Sequence, residues 1–76
     1  MNAREWVDAY AERLGTDPPS AEEFAAILDL AAEAAHASER IAAPVACWLC
    51  ARAGRPLRES IELARAVAGQ RDGEPQ

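Results

Sequence analysis

Lysine is absent from this sequence of 76 residues: all eight basic residues are arginine, and 13 Asp and Glu set the net charge at -5. No run of Arg forms the basic stripe that neutralises a phosphate backbone and releases its counterions, so nucleic acid is not an expected partner. Long apolar runs are missing too. The start Met-Asn-Ala-Arg-Glu-Trp has no apolar segment of the kind that marks a secretory signal, and the longest uncharged apolar stretch runs only from Ile41 to Ala51. A membrane span needs roughly 20 such residues. A cytoplasmic protein without membrane contact is therefore expected. With two cysteines, Cys47 and Cys50, the chain lacks the framework of a disulfide-stapled secreted domain, and free thiols in a reducing compartment are the default.

Bulk is the other scarcity. Half of the residues are hydrophobic, but 19 are alanine, which leaves 19 larger ones: six Leu, three Ile, three Val, two Trp, two Cys and one each of Phe, Tyr and Met. A domain this small buries only about 60% of its unfolded surface, and alanine adds little area per residue. Ordering each residue costs on the order of 1.5 kcal/mol. A single thin-cored domain over residues 1–68 is expected, stabilised by a protein partner or a second copy, with residues 69–76, rich in Gly and polar side chains, as a disordered tail.

What is present points to helices alone. Asn2 with Glu5 opens a helix near 2–14, which carries Trp6, Val7, Tyr10 and Leu14 at spacings of three and four and stops at Gly15. After the turn Thr16-Asp17-Pro18-Pro19, Ser20 and Glu23 form a capping box for a second helix near 21–38. Pro44 belongs in the first turn of a third helix near 44–53, and Arg55-Pro56 restarts the chain as a fourth near 56–68. Neither period-two alternation nor a β-branched cluster signals a strand. The fold class is thus all-α, a compact four-helix domain. The third helix is apolar on every side from Val45 to Ala51, and a helix of that kind is normally buried all round. Only a central position or a subunit interface would hide it; it is expected at the centre, with Trp48 in the core, so that Trp48→Ala would cost about 3 to 5 kcal/mol.

Three constellations could carry chemistry. The spacing Cys47-Trp48-Leu49-Cys50 places two sulfurs one turn apart near a helix amino end, where the dipole lowers a thiol pKa. Redox motifs of this form sit in a βαβ setting that is missing here, and small buried hydrophobes in an Ala-rich core are the plainer reading. Glu33-Ala34-Ala35-His36 is the E-x-x-H pair that supplies ligands to di-iron sites in helical bundles. The chain has one His, so a di-iron or zinc site would need further subunits and a carboxylate such as Glu5, Asp8 or Glu12. A surface ladder from Asp29 and Glu33 to His36 and Arg40 is the competing reading. One His, one Tyr and scattered carboxylates make the converging groups of an enzyme hard to assemble, and neither catalysis nor a cofactor is expected.

The third constellation is His36 to Pro44. Trp6, the Leu28-Asp29-Leu30 segment, His36, and Arg40 with Ala42-Ala43-Pro44 together resemble a small bacterial domain of unknown function. That family is found alone or fused behind the nucleotidyltransferase domain of molybdenum cofactor guanylyltransferase, the molybdopterin-guanine dinucleotide biosynthesis protein A. The resemblance covers roughly Glu5 to Ala68 and implies an accessory, non-catalytic role in molybdopterin-enzyme maturation, since the glycine-rich nucleotide-binding segment belongs to the fused domain and is absent here. Cys47 and Cys50 stand where that family carries Thr, Gly or other small residues, which speaks against a shared cysteine chemistry. His36, Arg40 and Pro44 match it. If a common contact exists it lies there, where the open amides of the third helix, the Arg40 guanidinium and the His36 imidazole could meet an anion or a partner's carboxylate. In the plainer reading Arg40 caps the second helix's carbonyls.

Overall fold

A computed structural model describes the backbone of residues 1–73 and the side chains of residues 1–69. Within it the chain forms four helices and no strand: α1 (Ala3–Leu14), α2 (Ala21–Ala37), α3 (Ala42–Ala53) and α4 (Leu57–Gly73). The all-α reading holds, and each helix begins within two residues of its expected start. The fourth is described through Gly73, beyond the expected boundary at Ala68. Residues 74–76, the end of the expected tail, lie outside the described residues.

The helix boundaries follow from local chemistry. The Glu5 amide donates to Asn2 Oδ1 at 2.8 Å while the Asn2 amide donates to Glu5 Oε1 at 2.9 Å. Ser20 and Glu23 repeat the arrangement at 3.0 and 2.8 Å. Each box satisfies amides that a helix start otherwise leaves without partners. At the other end of α1, Gly15 takes φ 79°, and the Thr16 and Gly15 amides return to the carbonyls of Ala11 and Glu12, both at 3.0 Å. This reversal needs a left-handed residue, which glycine adopts without a Cβ clash. Gly54 ends α3 in the same region, φ 72°, with its amide donating to Cys50.

The packing departs from expectation. The long central helix is α2, with α3 and α4 both laid against it, while α3 and α4 diverge from each other. Leu30, near the middle of α2, is only 3% exposed, and with Ala11 and Ile61 it completes the set of buried hydrophobic residues among those described. The expectation of a central third helix with Trp48 in the core is therefore corrected: α3 contains no buried residue, and Trp48 is 58% exposed. The reason lies in side-chain size. Where α3 meets α2, alanines and cysteines allow close approach but leave no space to engulf an indole, so the bulky stripe Val45, Trp48 and Leu49 turns outward. All-round apolarity correctly signals a surface that must be hidden, but an 8.2 kDa chain has too little mass to hide it.

Arg4 links the first helix to the α1–α2 turn and to Phe24 of α2. Its guanidinium donates to the Pro19 carbonyl, lies 5.4 Å from the centre of the Phe24 ring and pairs with Asp8 at 3.1 Å. Trp6 and Tyr10 stack on one another outside this contact, with ring centroids 5.0 Å apart and both rings largely exposed.

Candidate functional site

Because α3 and α4 splay apart over α2, they enclose a groove of about 530 Å3. Its floor is Leu30, Ala34 and Ala37 of α2 with Ala46, Cys50 and Ala64. Val45 and Leu49 form one lip, Leu63 and Val67 the other, and all four are exposed to solvent. Among the described residues the lining carries two charged side chains, Glu33 and Arg55. Both have partners already: Glu33 Oε2 accepts from Arg65 Nε at 2.8 Å, and Arg55 pairs with Glu59 one turn along. The floor is built from small side chains at helical spacing, so another backbone could come close, while the lips present branched aliphatics. The arrangement suits the apolar ridge of a polypeptide better than a polar metabolite, because it offers a ligand almost no hydrogen-bonding group.

The Glu33–Arg65 pair joins α2 to α4 across 32 residues of sequence. It corrects the expected surface ladder: Glu33 reaches across the groove wall to Arg65, and among the described residues neither His36 nor Arg40 takes part in a salt bridge or side-chain hydrogen bond. The hydrogen bond to Glu33 holds the Arg65 proton more firmly, shifting that guanidinium further up. The same pairing engages one of the two ligands of the E-x-x-H reading. Among the described residues of a single chain no three His, Cys, Asp or Glu side chains converge as a metal site, and in the subunit-bridging version Glu33 would already hold Arg65 through Oε2.

His36 stands exposed in the last turn of α2 and Arg40 in the connection that follows. Pro44 is the third residue of α3, inside its first turn as expected. Two of the amides counted on for an anion contact are already used: Ala42 donates to the Glu39 carbonyl at 3.0 Å and Ala43 to the Arg40 carbonyl at 3.1 Å. These tight turns stand in for a side-chain cap, which Ile41 at the N-cap cannot provide. The α2–α3 turn nonetheless closes one end of the groove, since Ala37, Ser38 and Ala42 line it.

The two thiols are half-buried and free, and Cys50 faces the groove. The helix dipole does not prevail at Cys47. Burial pushes its thiol pKa up, and the neighbouring Cys50 pushes it further, because a thiolate there would be desolvated beside another ionisable sulfur. The lowering that the dipole alone would give is thus outweighed. Iodoacetamide should alkylate Cys47 more slowly than an unhindered thiol at mildly alkaline pH, with the rate still climbing above the pH at which a free thiol has levelled off. A rate profile matching that of free thiol would contradict the shift.

On the other side of α2, Glu22, Glu23, Asp29 and Glu62 share an open cleft with Arg58 and Arg65. Opposite charges alternate there, as on a solvated helix pair, and nothing aims them at one point. No helix among the described residues is long and apolar enough to cross a membrane. Sequence reading missed the groove because its lips come from separate helices, although the exposed repeats Val45/Leu49 and Leu63/Val67, each at i and i+4, were its visible trace.

Comparison with curated proteins and with solved structures found no match. A family model described as a domain of unknown function, DUF6457, matches residues 1–76, the whole chain, which therefore belongs to that family.

Proposed function

We propose that the chain is a non-catalytic interaction module serving molybdopterin-guanine dinucleotide biosynthesis or molybdoenzyme maturation. The observation that carries the first half is the groove between α3 and α4: a concave apolar surface, flanked by exposed Val45, Leu49, Leu63 and Val67, whose charged side chains among the described residues, Glu33 and Arg55, are already paired. A surface of this kind is stabilised by covering it with another polypeptide, and it lacks the converging titratable groups of catalysis. The second half is supported by the resemblance of Trp6, Leu28 to Leu30, His36, Arg40 and Ala42-Ala43-Pro44 to the domain that accompanies molybdenum cofactor guanylyltransferase. In this reading His36 and Arg40, at the turn that closes one end of the groove, supply the polar contacts to a partner's carboxylate or to a phosphate.

The test is genetic and biochemical together. In a bacterium that carries this chain, deleting its gene should lower the activity of enzymes that use molybdopterin-guanine dinucleotide, and the wild-type gene should restore it. Leu49→Asp, which places a charge on the groove lip without touching a buried residue, should not restore it. Undiminished molybdoenzyme activity in the deletion strain, or full rescue by Leu49→Asp, overturns the reading.

A further inference from the structure

We propose that the occupant of the α3–α4 groove is a second copy of this chain, paired about a two-fold axis so that the Val45–Trp48–Leu49 ridge of each α3 lies in the other's groove. The proposal rests on the interaction-module reading and names the partner it leaves open.

The first argument is area. The chain exposes 6120 Å2. A folded monomer of 8.2 kDa is expected to expose roughly 4,500 Å2 by the usual scaling of surface with mass, an excess on the order of 1,500 Å2. Half of that excess already matches the ~800 Å2 per partner of a standard interface, and all of it from both copies would give about 3,000 Å2, inside the range of permanent homodimers. The chain thus leaves more surface in water than a compact monomer of its mass, by an amount on the scale of a dimer interface.

The second argument is charge. The sequence is acidic as a whole, which opposes self-association, but the acid is unevenly placed. Residues 1–41 hold nine acidic side chains against three Arg, whereas residues 42–67 hold four Arg against two Glu. Helix α3 has one charged residue in its whole length, Arg52, whose guanidinium lies 5.2 Å from the centre of the Trp48 ring. Pairing through α3 and α4 therefore sets the two strongly acidic halves, each three Arg less nine acids or -6, on the outside and joins segments of four Arg less two Glu, +2 each, where like-charge repulsion is smaller.

The third argument is shape. Isologous pairing requires one patch to hold both ridge and groove, since each residue that reaches across is met by its own counterpart. The α3 helix supplies both: Val45 and Leu49 form the lip of its own groove, and Trp48 stands beside them on the outer ridge, exposed and without a pocket in its own chain. The small floor residues Ala34, Ala46 and Ala64 leave room for the partner's helix to approach. The other exposed aromatic face, Trp6 and Tyr10 on α1, lines neither the groove nor the acidic cleft and is interleaved with Glu5, Glu12 and Arg13.

Sedimentation equilibrium of the full chain across the micromolar range tests the pair. The expected mass is about twice 8.2 kDa. Leu49→Asp should sediment as a monomer with its helical circular dichroism retained, while Leu28→Asp, an equally exposed leucine outside the groove, should remain dimeric. A wild-type monomer overturns the proposal, as does a Leu49→Asp dimer, a Leu28→Asp monomer, or an assembly that keeps growing with concentration, the mark of head-to-tail contacts. The outcome separates from that of the functional reading. A monomeric wild type whose Leu49→Asp form still fails to support molybdoenzymes overturns the dimer alone, and a dimer whose Leu49→Asp form dissociates yet supports them overturns the functional reading alone.

Discussion

Leu30→Ala is expected to destabilise the fold by about 2 to 5 kcal/mol, the range for truncating a buried leucine, and in a domain this small that approaches the whole stability. Leu30 is the most buried of the three buried residues among those described, and it sits on α2 where α3 and α4 both pack. Removing the isopropyl end of its side chain opens a cavity that the surrounding alanines are too short to refill. Urea denaturation followed by far-UV circular dichroism checks this: the midpoint should fall sharply or the variant should be unfolded at the outset. A midpoint unchanged from the parent would mean that the α2–α3–α4 contact is not the seat of the core.

Trp48→Ala is expected to act on assembly instead of on the fold. The indole is 58% exposed within the chain, so its truncation should change the unfolding free energy of dilute, dissociated protein by less than about 1 kcal/mol, the range of surface substitutions. In the two-fold pair the same side chain lies in the partner's groove. Loss of a central interface tryptophan costs about 2 kcal/mol or more, roughly thirty-fold in the dissociation constant of the dimer. Thermal melts over a wide span of protein concentration distinguish the effects, since the melting temperature of the parent should rise with concentration and that of the variant should rise less. A loss of 3 to 5 kcal/mol in the dilute monomer would return Trp48 to the chain's own core.

These two substitutions also mark how far the sequence could be read. Composition and the capping boxes at Asn2/Glu5 and Ser20/Glu23 determined an all-helical chain, and Gly15 and Gly54 marked where α1 and α3 end, because such features satisfy hydrogen bonds and dihedral angles within a few residues. The same locality made Pro44 legible as a first-turn residue of α3. The candidate site was legible only in pieces. The sequence identified α3 as a helix whose apolar surface must be covered, and the thinness of an alanine core foretold that the chain alone would not cover it.

Which helix lies in the middle, and what faces the groove, were decided by tertiary structure. Glu33 was read as a partner for its neighbours His36 and Arg40, yet it pairs with Arg65 because the α2–α4 packing brings that distant guanidinium to 2.8 Å. The dipole at the start of α3 acts to lower the Cys47 thiol pKa, yet burial against the rest of the fold, with Cys50 beside it, raises it. Periodicity records how apolar each face is, but not whether a neighbouring helix has side chains large enough, or near enough, to enclose it. Here α2 presents Leu30 among alanines, enough to seat two helices side by side but not to wrap either of them, so α2 takes the centre and the bulky face of α3 stays on the surface.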